Sequence, residues 1–339
     1  MDLPPGIAYF FDTVSARFLS PGSQYSLTSL LAALVLAAAF IALRRFRRNR
    51  RIRIRTIARA LFPRRIVQSP SNSADFGYLF FNTFVYGLTF GWAVLSYQLV
   101  TNGIIGGLVA AFGPVQPSAL PEVAVRATVT VILFLAYELG YWFNHYLSHR
   151  VGFLWEFHKV HHSATVLTPV TSIRVHPVYM VIFANILAIS AAIASGLANY
   201  AFGDTTYQYA LSETNIILVL FIYTYVHFQH SELWMPLRGL VGHIVMSPAH
   251  HQVHHSTDPA HFNKNMGSCL AIWDWAFGTL YVPGKKREKL TFGADSDPRN
   301  VHTFMGEFIL PFVRAFAQLR GLFRRLTARP AAVSRQTSA

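Results

Sequence analysis

Charge and cysteine are both scarce in this chain. Asp, Glu, Lys and Arg make up 13% of its 339 residues. The single cysteine, Cys269, excludes a disulfide framework within the chain. There is no G-x-G-x-x-G or Walker-type loop, no internal repeat, and no recognisable site for flavin, haem or an iron–sulfur cluster. What the sequence has instead is apolar residues, 53% of the total, gathered into long blocks. Long blocks with almost no charge read as membrane spans rather than as a soluble core.

The first block, Ser26 to Leu43, is followed by "RRFRRNRRIRIR". A signal peptide would place the basic stretch before the apolar one, so this order reads as a span with a stop-transfer signal. Further spans are expected at Gly77 to Val100, Val123 to Phe143 and Val178 to Tyr200, with a shorter one at Ile216 to Phe228. "GIIGGLVAAFG", 103–113, is too short to span and is expected to be re-entrant or interfacial. With the Arg run in the cytoplasm, the outer loops 101–122 and 201–215 contain no Lys or Arg. Of the 29 basic residues, all but Arg17 and Arg126 fall in inner segments or the C-terminal region. The positive-inside rule is thus met at each loop. A net charge of +14 then needs no nucleic acid as partner, because an anionic cytoplasmic leaflet explains it.

Histidine is the conspicuous polar residue. Fifteen are present, thirteen of them between 145 and 255. "HYLSH" sets His145 and His149 at i, i+4; "HKVHH" sets His158, His161 and His162 at i, i+3, i+4; "HQVHH" repeats that pattern with His251, His254 and His255. Residues three and four apart share a helix face, so each motif is expected to aim two or three imidazoles at one point. His227 and His230 lie on one face at the inner end of the short span. Neutral imidazoles gathered around metal avoid the repulsion that protonated ones would suffer. About nine ring nitrogens exceed the needs of one tetrahedral zinc and suit two ions with four or five ligands each. Imidazole alone leaves iron, zinc, copper and nickel open. A site at the bilayer surface suggests a lipid substrate, whose C–H bonds call for oxygen chemistry and so for iron.

At this point the motifs carry a resemblance. The order H-x-x-x-H, H-x-x-H-H, H-x-x-H-H, closing with "NKNMGSCLAIWDWAFGT", resembles the fatty acid hydroxylase/sterol desaturase superfamily of membrane di-iron enzymes. "LWEFHKVHHS", "IRVHP", "FQHSEL" and "SPAHHQVHHS" fall in the family's order, between about Phe134 and Val282. The closing pattern is closer to bacterial sterol-desaturase-type proteins and alkylglycerol monooxygenases than to fatty-acyl hydroxylases. The resemblance implies His145, His149, His158, His161, His162, His230, His251, His254 and His255 as ligands of two iron ions. It leaves His250 as a spare, gives His227 a lesser claim and makes His176 a neighbour of the ligands. Glu138 stands where many relatives have Asp. Glu138, Glu156, Asp258 and Asp274, with Asn144, Asn263 and Asn265, are candidates to accept the ligands' second N–H, Asp274 first among them.

The implied protein is an all-α integral membrane enzyme of about five membrane-embedded helices with a cytoplasmic histidine-rich catalytic cap, in a bacterial inner membrane. It would hydroxylate or desaturate a lipid using O2 and electrons from a separate donor, a ferredoxin or a cytochrome b5-like protein. The alternative is a histidine-rich membrane metal-binding or transport protein without oxygenase activity, but that would need ligands along a path through the bilayer, and no cluster histidine lies mid-span. The chain divides into an N-terminal span with its basic segment (1–76), embedded helices (77–133), the catalytic region (134–282), a basic amphipathic region (283–326) and a disordered tail (327–339). Within 304–326, Phe312, Phe316, Leu319, Phe323 and Leu326 fall at helical spacing beside Arg314, Arg320, Arg324 and Arg325. Pro311 is expected to start this helix, which either lies in the interface or packs on the cap.

Overall fold

The computed structural model describes residues 4–203, 207–294 and 302–327; the tail expected to be disordered falls outside them, apart from Thr327. Among the described residues the regular structure is helical apart from one two-stranded hairpin, Ala210–Leu211 paired antiparallel with Thr214–Asn215, and one isolated bridge. Four helical stretches are long and apolar enough to cross a membrane: Leu27–Phe46, Asn72–Phe112, Glu122–Arg150 and Pro177–Phe202. The protein is an all-α integral membrane protein. The fifth stretch, Ile216–Gln229, is shorter. At 1.5 Å per residue its 14 residues cover about 21 Å, less than the ~30 Å hydrocarbon core.

Glu122–Arg150 and Pro177–Phe202 form the scaffold. They approach closely because Gly140 lies at their crossing, where an added Cβ would stand 3.0 Å from the Ser190 Cβ. On its other side Pro177–Phe202 packs on Tyr97–Phe112, where a Cβ at Gly196 would meet Ile104 at 2.7 Å. Small residues at such crossings are how membrane helices gain packing contact when lipid removes the hydrophobic drive.

The expected second span and the 103–113 piece are one broken path. Asn72–Phe112 runs alongside Pro177–Phe202, helical up to Ala93 and again from Tyr97. The segment 103–113 is therefore mostly the end of a packed helix rather than a separate re-entrant piece. Ser96 caps the second part by accepting the Leu99 N–H at 3.3 Å. The backbone groups freed at the break meet one side chain: Asn185 accepts the Leu95 N–H at 2.9 Å and donates to the Ala93 carbonyl at 2.9 Å. A helix can break within a bilayer where a neighbour supplies the missing hydrogen bonds in this way.

The C-terminal helix runs from Phe304 to Thr327, with Pro311 inside it rather than at its start. Its first half packs inward: Phe312 and Ala315 join Phe157 and Tyr179 in one apolar cluster. Further along, Phe316, Phe323 and Leu326 are exposed, so the packed reading holds for the first half of the helix. The Arg325 side chain lies outside the described residues.

Candidate metal centre

Helix geometry brings the histidines together. His145 and His149 end Glu122–Arg150. After the single extended residue Val151, Gly152–His162 turns back and carries His158, His161 and His162. Pro248–His254 carries the last motif. It starts where it does because Ser247 and His250 form a reciprocal cap. Ser247 Oγ accepts the His250 N–H at 3.4 Å, and His250 Nδ1 accepts the Ser247 N–H at 3.2 Å. Pro248 fills the first helical position, where its missing N–H costs nothing. The extra histidine of "HHQVHH" is thus a capping residue. His176 does similar work for Pro177–Phe202, accepting the Val178 N–H at 3.2 Å.

Nine imidazoles form two adjacent groups. His145, His149, His158, His162 and His254 make one; His161, His230, His251 and His255 make the other. Within each group the candidate ligand nitrogens lie within 4.8 Å of one another. The groups touch where the His162 and His255 rings stack, centroids 4.5 Å apart. The nine are the histidines expected from the sequence, but each H-x-x-H-H motif is divided between the groups instead of aimed at one point. The i, i+4 pairs His158/His162 and His251/His255 stay together, while His161 and His254 cross to the other group. Successive helical residues turn by about 100°, so adjacent histidines cannot face one point. His227, His176 and His250 are buried but belong to neither group.

The nitrogens fit a cation. In the first group the Nε2 atoms run 145, 158, 162, 254 with contacts of 3.0, 3.1 and 3.1 Å. In the second they run 161, 230, 251, 255 at 3.1, 3.0 and 3.1 Å. Neighbouring ligands at right angles about an ion, with bonds of about 2.1 Å, lie about 3.0 Å apart. Hydrogen bonding alone does not account for the first chain. His145 Nδ1 donates to the Met266 carbonyl at 2.7 Å, and His254 Nδ1 donates to the Lys264 carbonyl at 2.8 Å. A carbonyl only accepts, so in the neutral rings both Nε2 atoms at the chain's ends carry lone pairs. A neutral ring nitrogen either donates or accepts. Three alternating bonds cannot join two acceptors, so at least one contact sets like against like unless a cation lies among the lone pairs. Burial keeps the rings outside the spans neutral. It lowers His161 to about 3 and His254 to about 4, and takes His158, His162, His230, His251 and His255 well below the usual value, with neighbouring imidazoles adding to the effect.

The carboxylates expected to accept from the ligands do not touch them. Glu138 is fully buried, and one of its oxygens accepts the N–H groups of Cys269 and Leu270, each at 2.8 Å. Asp274 accepts from Met266 N (2.7 Å), Gly267 N (2.7 Å) and Thr279 Oγ1 (2.5 Å). Burial raises its pKa while these bonds oppose the rise. The loop they hold presents the Met266 carbonyl to His145, so Asp274 acts one bond further out than expected. Glu156 pairs with Lys159 (2.9 Å) and receives Gln318 (2.7 Å); Asp258 caps the turn at Ala260 (3.0 Å); Asn265 donates to the His250 carbonyl (3.0 Å). In Asp274→Asn, one oxygen becomes an amine facing a donor, which costs about 1–3 kcal/mol locally. Metal affinity is expected to fall about 10- to 100-fold, the usual range for such outer partners, as read by titration against a chelator.

Both groups face a single cavity of about 270 Å³, lined by His145 and His158 from one and His161 and His230 from the other. Tyr137, Tyr141, Tyr179, Phe183, Leu218 and Ile222 form much of its wall. Arg17, Gln24 and Tyr25, which no sequence motif marks, also line it. Residues 130–279 match the fatty acid hydroxylase family, and this stretch contains every histidine of both groups. The chain is 25% identical to an alkylglycerol monooxygenase of Danio rerio over 198 residues, 58% of this chain and 40% of that one. It is 28% identical to the alkylglycerol monooxygenase of Homo sapiens over 160 residues, 47% and 32% of the two chains. It is 27% identical to the ornithine lipid hydroxylase OlsE of Rhizobium tropici over 215 residues, 56% and 57%. The matches thus cover less than two thirds of these relatives' lengths. No solved structure matches the chain.

Proposed function

We propose that this protein is a membrane non-haem di-iron oxygenase that hydroxylates or desaturates a C–H bond of a lipid, using O2 and external electrons. The observation that carries this reading is that two histidine groups, of five and four, face one cavity walled largely by aromatic and aliphatic side chains. The relatives' names, a monooxygenase of alkylglycerols and a hydroxylase of a lipid, support the same class of substrate.

The five histidines of the first group and the four of the second would each hold one ion. Iron bound there supplies the activation of dioxygen. The chain's own residues do the rest. The Met266 and Lys264 carbonyls keep a proton on Nδ1 of His145 and His254, so Nε2 offers its lone pair. Tyr141 packs edge-on against His145, and Tyr179 stacks on His158, centroids 5.7 and 4.7 Å apart, which holds those rings in place at the cavity wall. The aliphatic wall keeps an alkyl chain beside the histidines, which fixes the carbon that reacts.

The electron donor in this proposal is a separate acidic protein, a ferredoxin or a cytochrome b5-like carrier, drawn to the chain's basic side. The arginine distribution favours the cytoplasmic face of a bacterial inner membrane for the histidines. Metal analysis of the purified protein is expected to give close to two irons per chain. Lipids from cells with and without the gene should differ by one gained oxygen atom or two lost hydrogens in a single lipid class. A protein holding one ion, or lipid profiles that do not change, would refute the reading.

A further inference from the structure

The cavity has one feature that the metal chemistry does not use. Arg17, in the helical turn Ser15–Leu19, lines it together with the four histidines. None of the lining residues is Asp or Glu. No ion pair among the described residues includes Arg17. Its guanidinium donates to the Asn82 carbonyl at 3.3 Å and stands 5.7 Å from the centre of the Tyr25 ring. Arg17 is half-buried, and these contacts orient the guanidinium without supplying an opposite charge. Beside it lies a short polar ridge: Tyr25 Oη and Ser172 Oγ are 2.6 Å apart, and Gln24 donates to Ser172 at 3.3 Å. The rest of the wall is largely aromatic and aliphatic.

A cation within an apolar membrane protein is costly unless an opposite charge meets it, and such residues mark places where a ligand supplies that charge. The guanidinium fork matches the paired oxygens of a carboxylate or phosphate. We infer that Arg17 binds an anionic headgroup of the lipid, a carboxylate or a phosphate, while the alkyl chain runs along the apolar wall toward the histidines. This inference rests on the cavity being the substrate site. It narrows the substrate to lipids that carry a negative group and gives Arg17 the role of a specificity-determining residue.

The test uses the purified full-length protein in a neutral detergent. Three ligands share a sixteen-carbon chain and differ in headgroup: hexadecanoate, hexadecyl phosphate and 1-O-hexadecylglycerol. Each competes with a fluorescent fatty acid for binding. The wild type is expected to prefer one or both anions to the neutral ether. A preference for the carboxylate points to acyl or amino-acid lipids, and one for the phosphate points to phospholipids. Arg17→Gln is expected to weaken the preferred anion on the order of tenfold and to leave the neutral ether unchanged, while Arg17→Lys keeps most of the preference. Unchanged metal content in Arg17→Gln verifies that the site is intact. Equal binding of all three ligands by the wild type, or an equal loss of all three in Arg17→Gln, would overturn the assignment. Failure of the oxygenase reading would look different: the headgroup preference would persist while no bound lipid is ever oxidised.

Discussion

Replacing His162 with alanine is expected to cost the protein at least one metal ion and to abolish turnover. The His162 Nε2 touches both His158 Nε2 and His254 Nε2 at 3.1 Å, and its ring stacks on that of His255 in the other group. Its loss opens the first group in the middle and removes the ring on which the second leans. Outer-sphere partners already cost about 10- to 100-fold when removed, so activity should fall by more than that, with metal content dropping from two per chain to one or less. His250→Ala is the control. That ring belongs to a helix cap, so its loss should cost about 1 kcal/mol of stability and leave two ions bound. Metal counting and thermal melts of the two variants, side by side, separate a ligand from a cap; equal metal loss in both would refute the assignment.

Arg174→Ala is expected to be the most destabilising single change outside the histidines. Arg174 is 0% exposed, Asp75 1% and Glu307 2%. The guanidinium meets Asp75 at 3.1 Å and pairs with Glu307 as well, tying the helix that begins at Asn72 to the C-terminal helix. It also donates to the Val160 carbonyl at 3.1 Å, two residues before His162. Removing the shared cation leaves two buried carboxylates beside each other, at a cost of about 3–5 kcal/mol. The C-terminal helix should then detach, which limited proteolysis between 302 and 327 would register. Replacing all three with apolar residues of similar volume should recover most of the loss, because no unpaired charge then remains. A single variant that melts like the wild type would show that the triad contributes little.

Much of the grouping of the histidines could be read from the sequence because helical spacing puts i and i+4 on one face, and His145/His149, His158/His162 and His251/His255 all keep that relation. The sorting of His161 and His254 into the opposite groups could not, since it depends on how three helices cross. His230 shares a helix face with His227 by spacing, and only the resemblance singled it out as a ligand over His227. The partners of His145 and His254 were missed because they are backbone carbonyls, which every residue carries and no sequence marks. Glu138 and Asp274 were expected to accept from the histidine rings, but what they hold is the 266–270 loop. The apolar blocks gave the spans, yet not the break at 94–96, whose hydrogen bonds come from Asn185 ninety residues on. Pro311 misled because its missing N–H can be tolerated within a helix whose first half is braced by packing.

The cavity wall draws on two separate stretches of the chain. The matched segment, 130–279, contains all nine histidines, whereas Arg17, Gln24 and Tyr25 lie more than a hundred residues before it. On the proposed assignments, reactivity and selectivity would be encoded in different stretches. A lineage could exchange one lipid for another by altering the N-terminal turn while the metal ligands stay untouched. For the same reason, likeness across 130–279 speaks for a shared kind of chemistry and is silent about the molecule on which it is performed. A chimera joining this N-terminal turn to a relative's catalytic segment would carry this protein's taste in lipids into another enzyme.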